Sequence, residues 1–310
     1  MTEVISNVSN KYIFAEEATF GTLPSPFTAL DIGYVQTISI SEDNQVEEVS
    51  SINTEHTLAL LEDSLYNLSG SITTKCTKAS LPVLMESLFG KITYDSPGAG
   101  QYTAVTSPVT TTTLSYSMKF NTQAGKIMEM RGIAITGGEI NVEKDGSVEI
   151  TLNYQAQILE GASETLTVST DTGTLFKDLD CYVTYGAGPT ILQSFSISMD
   201  WNIDLGDSRG IEVAHANGRR VISRVVRNAL SLTGSFESEM DATIDAEYAD
   251  ERSDVAIVLV LSRGTDNDHT FTIAASRTTT KSRDLSTDSS SKKISCDFVG
   301  KDIALVGDYS

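Results

Sequence analysis

The sequence predicts a mainly β fold: two tandem, similar domains, each with one short α-helix and one long inter-strand loop. Three observations carry that expectation. Ser and Thr account for 73 of the 310 residues, many of them in short runs that alternate with apolar residues. Helix signals are confined to two places. Short segments also recur in the same order in the two halves of the chain.

Thr37-Ile38-Ser39-Ile40-Ser41, Glu139-Ile140-Asn141-Val142-Glu143 and Ser194-Phe195-Ser196-Ile197-Ser198 each alternate with period two. That period places Ile, Val and Phe on one face and hydroxyls or carboxylates on the other, the pattern of a half-buried antiparallel strand. The β-branched runs Thr110–Thr113 and Thr278–Thr280 also favour strand. Lys144-Asp145-Gly146, between two alternating runs, reads as a hairpin tip. The clearest helix spans Ser80 to Gly90: Ser80 can cap it, Pro82 suits its first turn, and Leu81, Leu84, Met85 and Leu88 share one face. A weaker one is expected from Asp241 through Ile244 and Tyr248.

The internal repeat pairs Tyr34–Ile40 with Ile191–Ile197, Leu68-Ser69-Gly70-Ser71-Ile72 with Leu232-Thr233-Gly234-Ser235-Phe236, and Ser147–Tyr154 with Ser291–Phe298. Each Gly-Ser segment is followed by one of the candidate helices. The expected organisation is an N-terminal domain at 1–157, a linker rich in Gly, Ala, Ser and Thr at 158–176, and a C-terminal domain at 177–310. A long segment follows the first strand of each repeat, at 41–64 and 199–229, and long segments of this kind tend to be binding loops. The first holds Glu42, Asp43, Glu47 and Glu48 among seven acids with no Lys or Arg. The second holds Arg209, Arg219, Arg220, Arg224 and Arg227 among four acids. These are either solvated loops or complementary assembly surfaces.

The net charge is −20, from 22 basic and 42 acidic residues. Divided after residue 160, the parts carry 8 − 19 = −11 and 14 − 23 = −9, so the acidity is spread along the chain. A conventional nucleic-acid binder needs a basic footprint, and docking on an anionic membrane needs one too. The longest apolar run, Val255–Leu261, is strand-sized, and Met1–Val4 shows no secretory signal, so a chain made and kept in a cytosol is expected. Cys76, Cys181 and Cys296 are widely spaced and fit buried thiols.

No catalytic constellation is visible. His56, His215 and His269 match no metal-ligand spacing, and no nucleophile elbow or phosphate-binding glycine loop occurs. Asp266-Asn267-Asp268 lacks the glycine and distal Glu of a calcium loop and reads as a loop tip. Trp201 reads as an interface or core anchor. No enzyme activity and no cofactor are expected.

Several segments resemble the tail tube proteins of long-tailed phages or archaeal viruses, of the type with duplicated domains. They are Ala15-Glu16-Glu17-Ala18-Thr19-Phe20-Gly21-Thr22 followed by Pro24, Gln193–Asn202 followed by Leu232-Thr233-Gly234-Ser235, and Met130-Arg131-Gly132-Ile133 leading into the Glu139–Tyr154 hairpin. The resemblance implies β-barrel or sandwich domains flanked by a helix, whose inner strands join across subunits into closed rings. Three two-domain chains would complete a six-domain ring, and rings would stack into a hollow tube through which genome DNA passes without specific binding. The implied partners are further copies of the chain and other tail proteins (tape measure, tail terminator, baseplate or tip). The implied location is the virion tail, after assembly in the host cytoplasm and with no membrane. The long loops then become candidates for ring stacking. A lumen lined with carboxylates would repel phosphates, with Glu139, Asn141, Glu143, Glu149 and Thr151 as candidate lumen residues or else as ordinary outer surface. The competing reading is a two-domain β-sandwich decoration or adhesin protein, and a more distant one is an enzyme on a β scaffold.

Overall fold

Period-two patterning needs a second strand on each side before it can hold, and the chain supplies these in antiparallel order. A computed structural model describes residues 2–5, 12–49, 60–90, 93–94, 101–105, 114–122, 126–162, 166, 173–177, 181–185, 188–190, 192–204, 214–216, 219–222, 225–239, 255–262, 270–287, 292–300 and 302–308. The first half forms β1 (Thr2–Ile5), β2 (Tyr12–Glu16), β3 (Tyr34–Val49), β4 (Leu60–Lys75), α1 (Leu81–Phe89), β5 (Thr93–Tyr94), β6 (Gln101–Val105), β7 (Tyr116–Asn121), β8 (Ile127–Glu143), β9 (Glu149–Ala156) and β10 (Ile158–Ala162). The second forms β11 (Cys181–Tyr185), β12 (Gly188–Thr190), β13 (Leu192–Asp204), β14 (Ala214–Ala216), β15 (Arg219–Val221), β16 (Val226–Glu239), β17 (Val255–Ser262), β18 (Thr270–Thr287), β19 (Lys292–Gly300) and β20 (Asp302–Asp308). The fold is mainly β, as expected.

One long sheet runs through both halves in the order β1-β3-β4-β9-β8-β13-β16-β19-β18, antiparallel throughout. The first half contributes β3-β4-β9-β8 and the second β13-β16-β19-β18, the same pairing order twice. Two further sheets run β2-β7-β8-β10 and β12-β11-β17-β18-β20-β6-β5, and β14 and β15 pair as a separate two-stranded hairpin. β8 and β18 each serve two sheets, and strands that switch sheets need a local kink. β8 has a register shift between Ile135 and Gly137 and a left-handed Gly132 (φ 64°), and β18 has a shift between Thr280 and Ser282. No described pairing closes a sheet on itself, so the architecture is sandwich-like and open, with no closed barrel.

The opening segment of the resemblance stabilises the first kink. Glu17, 6% exposed, accepts hydrogen bonds from Ser117 Oγ (2.5 Å) and the Gly132 amide (2.8 Å) at Oε1, and from the Gly21 amide (2.8 Å) at Oε2. A buried carboxylate is tolerated when its oxygens are satisfied in this way.

Ile38, Ile40, Ile72, Ile140, Ile150 and Leu152 form the buried face of the long sheet in the first half, and Phe195, Ile197, Phe236, Ile294, Cys296 and Phe298 continue it in the second. Phe14, stacked on Tyr116 at 4.7 Å, joins Met118 and Met130 to close the core from the second sheet. Burial of each such side chain stabilises by roughly 1.5–3 kcal/mol. The repeated Gly-Ser segment has its cause here: Gly70 faces Tyr154 and Gly234 faces Phe298. A Cβ would stand 2.6 Å from Tyr154 Oη at Gly70 and 2.4 Å from Phe298 Cζ at Gly234, so the ring on the last strand requires a bare backbone beside it.

The helix forms as expected, but its cap differs. Ser80 is itself helical (φ −81°, ψ −22°) and makes no side-chain cap bond to the helix. Thr77 does that work: Thr77 Oγ1 accepts from the Ser80 amide (3.1 Å), and Ser80 Oγ accepts from the Thr77 amide (2.9 Å), a reciprocal pair one turn earlier. The hairpin tip at 144–146 is present, with Asp145 left-handed (φ 62°) and the Gly146 amide bonded to Glu143 O (3.0 Å). The second expected helix, from Asp241, lies outside the described residues. Ile158–Ala162, inside the stretch read as a linker, is β10 and pairs with β8.

Candidate functional site

Opposed residues in an antiparallel pair share a face. The register therefore gathers Ser39, Ser71, Asn153, Thr151 and Glu139 of the first half with Ser198, Ser196, Ser235 and Asp297 of the second on the face away from the core. Glu139 and Glu143 are exposed, and Asn141, Glu149 and Thr151 are half-buried. All five candidate lumen residues thus share one polar face: Glu139 opposes Thr151, Asn141 opposes Glu149, and Glu143 opposes Ser194. Hydroxyls tie adjacent strands together across it, through Ser39–Ser71 (2.8 Å), Thr73–Thr151 (3.2 Å) and Ser196 Oγ donating to Glu139 Oε1 (2.7 Å). Lys293 Nζ pairs with Glu237 Oε1 at 2.8 Å, and Lys75 lies opposite Glu149.

The two halves meet where β8 pairs with β13, from Ser194↔Glu143 to Asp200↔Gly137. A second set of contacts locks this seam. Helix C-termini leave their last carbonyls without intrahelical donors. Trp201, 4% exposed, donates from Nε1 to Leu88 O (2.6 Å), and Arg227, 8% exposed, donates to Ser87 O (2.8 Å) and Ile135 O (2.8 Å). The guanidinium lies 5.2 Å from the Trp201 ring. Burial lowers its pKa to about 10, with Tyr116 acting in the other direction, so it remains a cation at neutral pH at the negative end of α1.

Arg227 was expected in a stacking loop; it belongs instead to β16 and to the seam. A bulge between Trp201 and Ile203 shifts the register there, and so no periodicity in the sequence marks Arg227 as buried. Much of the two long segments is also strand. Glu42, Asp43, Glu47 and Glu48 lie on β3, with Glu42 and Asp43 exposed. Arg219 and Arg220 lie on β15, which sits against β4, the strand carrying Glu62 and Asp63. Just beyond, Ile222 and Val225 are buried with Ala134 of β8, and Gln157 Nε2 donates to Ile222 O (2.8 Å). Arg209 and Arg224 lie outside the described residues, as do His56, His269 and Asp266–Asp268; His215 lies on β14. Cys76, Cys181 and Cys296 are buried thiols. No cluster of metal-ligating side chains occurs among the described residues, and no described helix is long and apolar enough to cross a membrane.

A long antiparallel sheet with one face in the core and the other lined by hydroxyls and carboxylates defines a mainly β, sandwich-like protein. The chain belongs to the phage tail tube protein family, whose model matches residues 10–300, every strand from β2 to β19. This is a family of structural proteins of the virion tail. No curated protein matches the chain.

Proposed function

We propose that the chain self-assembles into rings that stack into the hollow tail tube, the conduit for genome DNA ejection. The observation that carries this reading is the seam. The two halves already join by edge-to-edge pairing of the last strand of one four-strand unit with the first strand of the next. Repeating that joint between chains adds two such units per copy, and three copies make a ring of six. Head-to-tail joints of this kind close when the rotation allows. The chain is then two tandem tube domains, with the linker starting after β10.

The lumen follows from the same sheet. Its apolar face is covered by the second sheets and α1, which leaves the polar face free to line the inside of the ring. Glu139, Glu143 and Glu149 then repel passing phosphates, and the hydroxyls offer no cationic trap. The distal part of the β3–β4 hairpin, with Glu42, Asp43, Glu47 and Glu48, reaches the adjacent ring, while β15, which carries Arg219 and Arg220, packs against β4 of the same chain. Assembly occurs in the host cytoplasm, and tape measure, terminator and tip proteins contact the tube ends. Negative-stain microscopy of the concentrated protein tests the reading: rings or tubes are expected, and a monomer at every concentration and salt overturns it.

A further inference from the structure

β3 is paired on one edge with β4 and on the other with β1, in the register Thr2↔Ser41, Glu3↔Ile40, Val4↔Ser39 and Ile5↔Ile38. By the internal repeat, in which Tyr34 corresponds to Ile191, these β3 positions correspond to Ser198, Ile197, Ser196 and Phe195 of β13. Those four are paired with Glu139, Ile140, Asn141 and Val142 of β8. β1 therefore occupies on β3 the place that β8 occupies on β13. At the far end of the sheet, Thr279–Thr287 of β18 is the counterpart of that part of β8. It is paired with β19 on one edge and, among the described residues, with no strand on the other.

We infer that β1 is a placeholder: it covers the β3 edge in the free chain and gives way to β18 of a second copy when chains join. The inference rests on the tube reading above. The register of the incoming strand follows from the seam. Ile140 pairs with Ile150 and Leu285 with Ile294, and Ile150 and Ile294 are equivalent in the repeat, so Leu285 stands for Ile140. Transferred to the β3 edge, Leu285 falls opposite Ile40, Thr287 opposite Ile38, Ser286 opposite Ser39 and Asp284 opposite Ser41.

Three comparisons make β1 the weaker occupant. It places Glu3 opposite Ile40 and Ile5 opposite Ile38, where β18 places Leu285 and Thr287, so β1 sets a carboxylate in the apolar row of the face and β18 sets none. Among the described residues it supplies four residue pairs, against seven at the equivalent seam. The β18 register also sets Arg283 opposite Glu42, an opposite-charge cross-strand pair that is not among the described pairs of β1. A covered edge is the ordinary protection against open-ended strand pairing, and here the cover is short enough to be exchanged.

The test uses the full chain carrying Val4→Cys and Ser39→Cys, two directly opposed positions whose spacing in a β ladder suits a disulfide. Oxidised, the variant is expected to assemble at least about tenfold more slowly than its reduced form, equivalent to ~1.4 kcal/mol in the barrier. Added reductant restores the rate. A second variant lacking residues 2–9 is expected to assemble faster than the wild type at equal concentration. Equal rates for the oxidised and reduced forms overturn the placeholder and leave the tube reading standing. So does a deletion variant that folds, by circular dichroism, yet assembles no faster. A wild-type chain that never forms rings or tubes overturns both.

Discussion

At the seam, β13 meets β8 over Ser194–Asp200, and just beyond it Trp201 and Arg227 fasten onto the end of α1. At the other end of the sheet, the described residues of β1 meet β3 over Ile38–Ser41, and the positions equivalent to Trp201 and Arg227 are Asn44 and Asp63. The equivalence holds in the pairing itself: Ile203↔Arg227 in one half matches Val46↔Asp63 in the other, each beside a register shift. The two joints thus share strand geometry and differ in the side chains that lock it. A joint made once, inside the chain, can bury an arginine and a tryptophan permanently. In the ring proposed above, a joint formed between chains cannot carry such groups exposed beforehand without inviting aggregation.

The contrast can be broken from the seam side first. Arg227→Ala removes the donor to Ser87 O and Ile135 O and leaves a cavity beside Trp201, at an expected cost of ~2–4 kcal/mol, partly offset because a buried cation no longer has to be desolvated. Urea unfolding reads this directly, and a loss below ~0.5 kcal/mol contradicts a latch at the seam. Trp201→Phe keeps most of the packing and deletes only the indole donor to Leu88 O. The expected loss is ~1–2 kcal/mol, and proton exchange at the α1 amides should quicken more than at β3.

A smaller, pH-dependent effect tests whether α1 and the seam unfold together with the core. Burial raises the Cys76 thiol from 9.0 to about 12, with Ser80 lowering it somewhat. The folded chain holds a proton that the unfolded chain loses above pH 9, so this contribution is complete below pH 9 and declines as pH rises. Between pH 8 and pH 10, about 1.4 kcal/mol should disappear, and Cys76→Ala should flatten that part of the profile. Parallel slopes for the two proteins, measured by urea midpoints under reductant, contradict it.

Much of the long sheet was legible in advance. Thr37–Ser41, Glu139–Glu143 and Ser194–Ser198 alternate cleanly because one face is wholly buried, and the three repeat matches correspond to β3 and β13, β4 and β16, and β9 and β19. The glycines of the repeat were visible as a motif, while their cause, the Tyr154 and Phe298 rings across the ladder, was not. The long segments read as loops because the acidic stretch of β3, Glu42 to Glu48, shows no apolar alternation. Glu42 and Asp43 stand in solvent, and pairing with β4 through backbone amides and carbonyls requires no apolar period in the sequence. Arg227 was missed for a related reason: a bulge moved it off the pattern and into the core.

The sequence by itself determined which faces are apolar, where the chain turns, that two similar units follow one another, and that the protein is strongly acidic throughout. These properties are written in side chains and in their spacing. Only the tertiary structure decided which strand lies beside which: that β8 meets β13, that β1 rests on β3, and that, among the described residues, Thr279–Thr287 of β18 keeps an edge without a strand. Strand edges present the same amide and carbonyl groups whatever the residue, so sequence patterns describe the faces of a sheet and are silent about its neighbours.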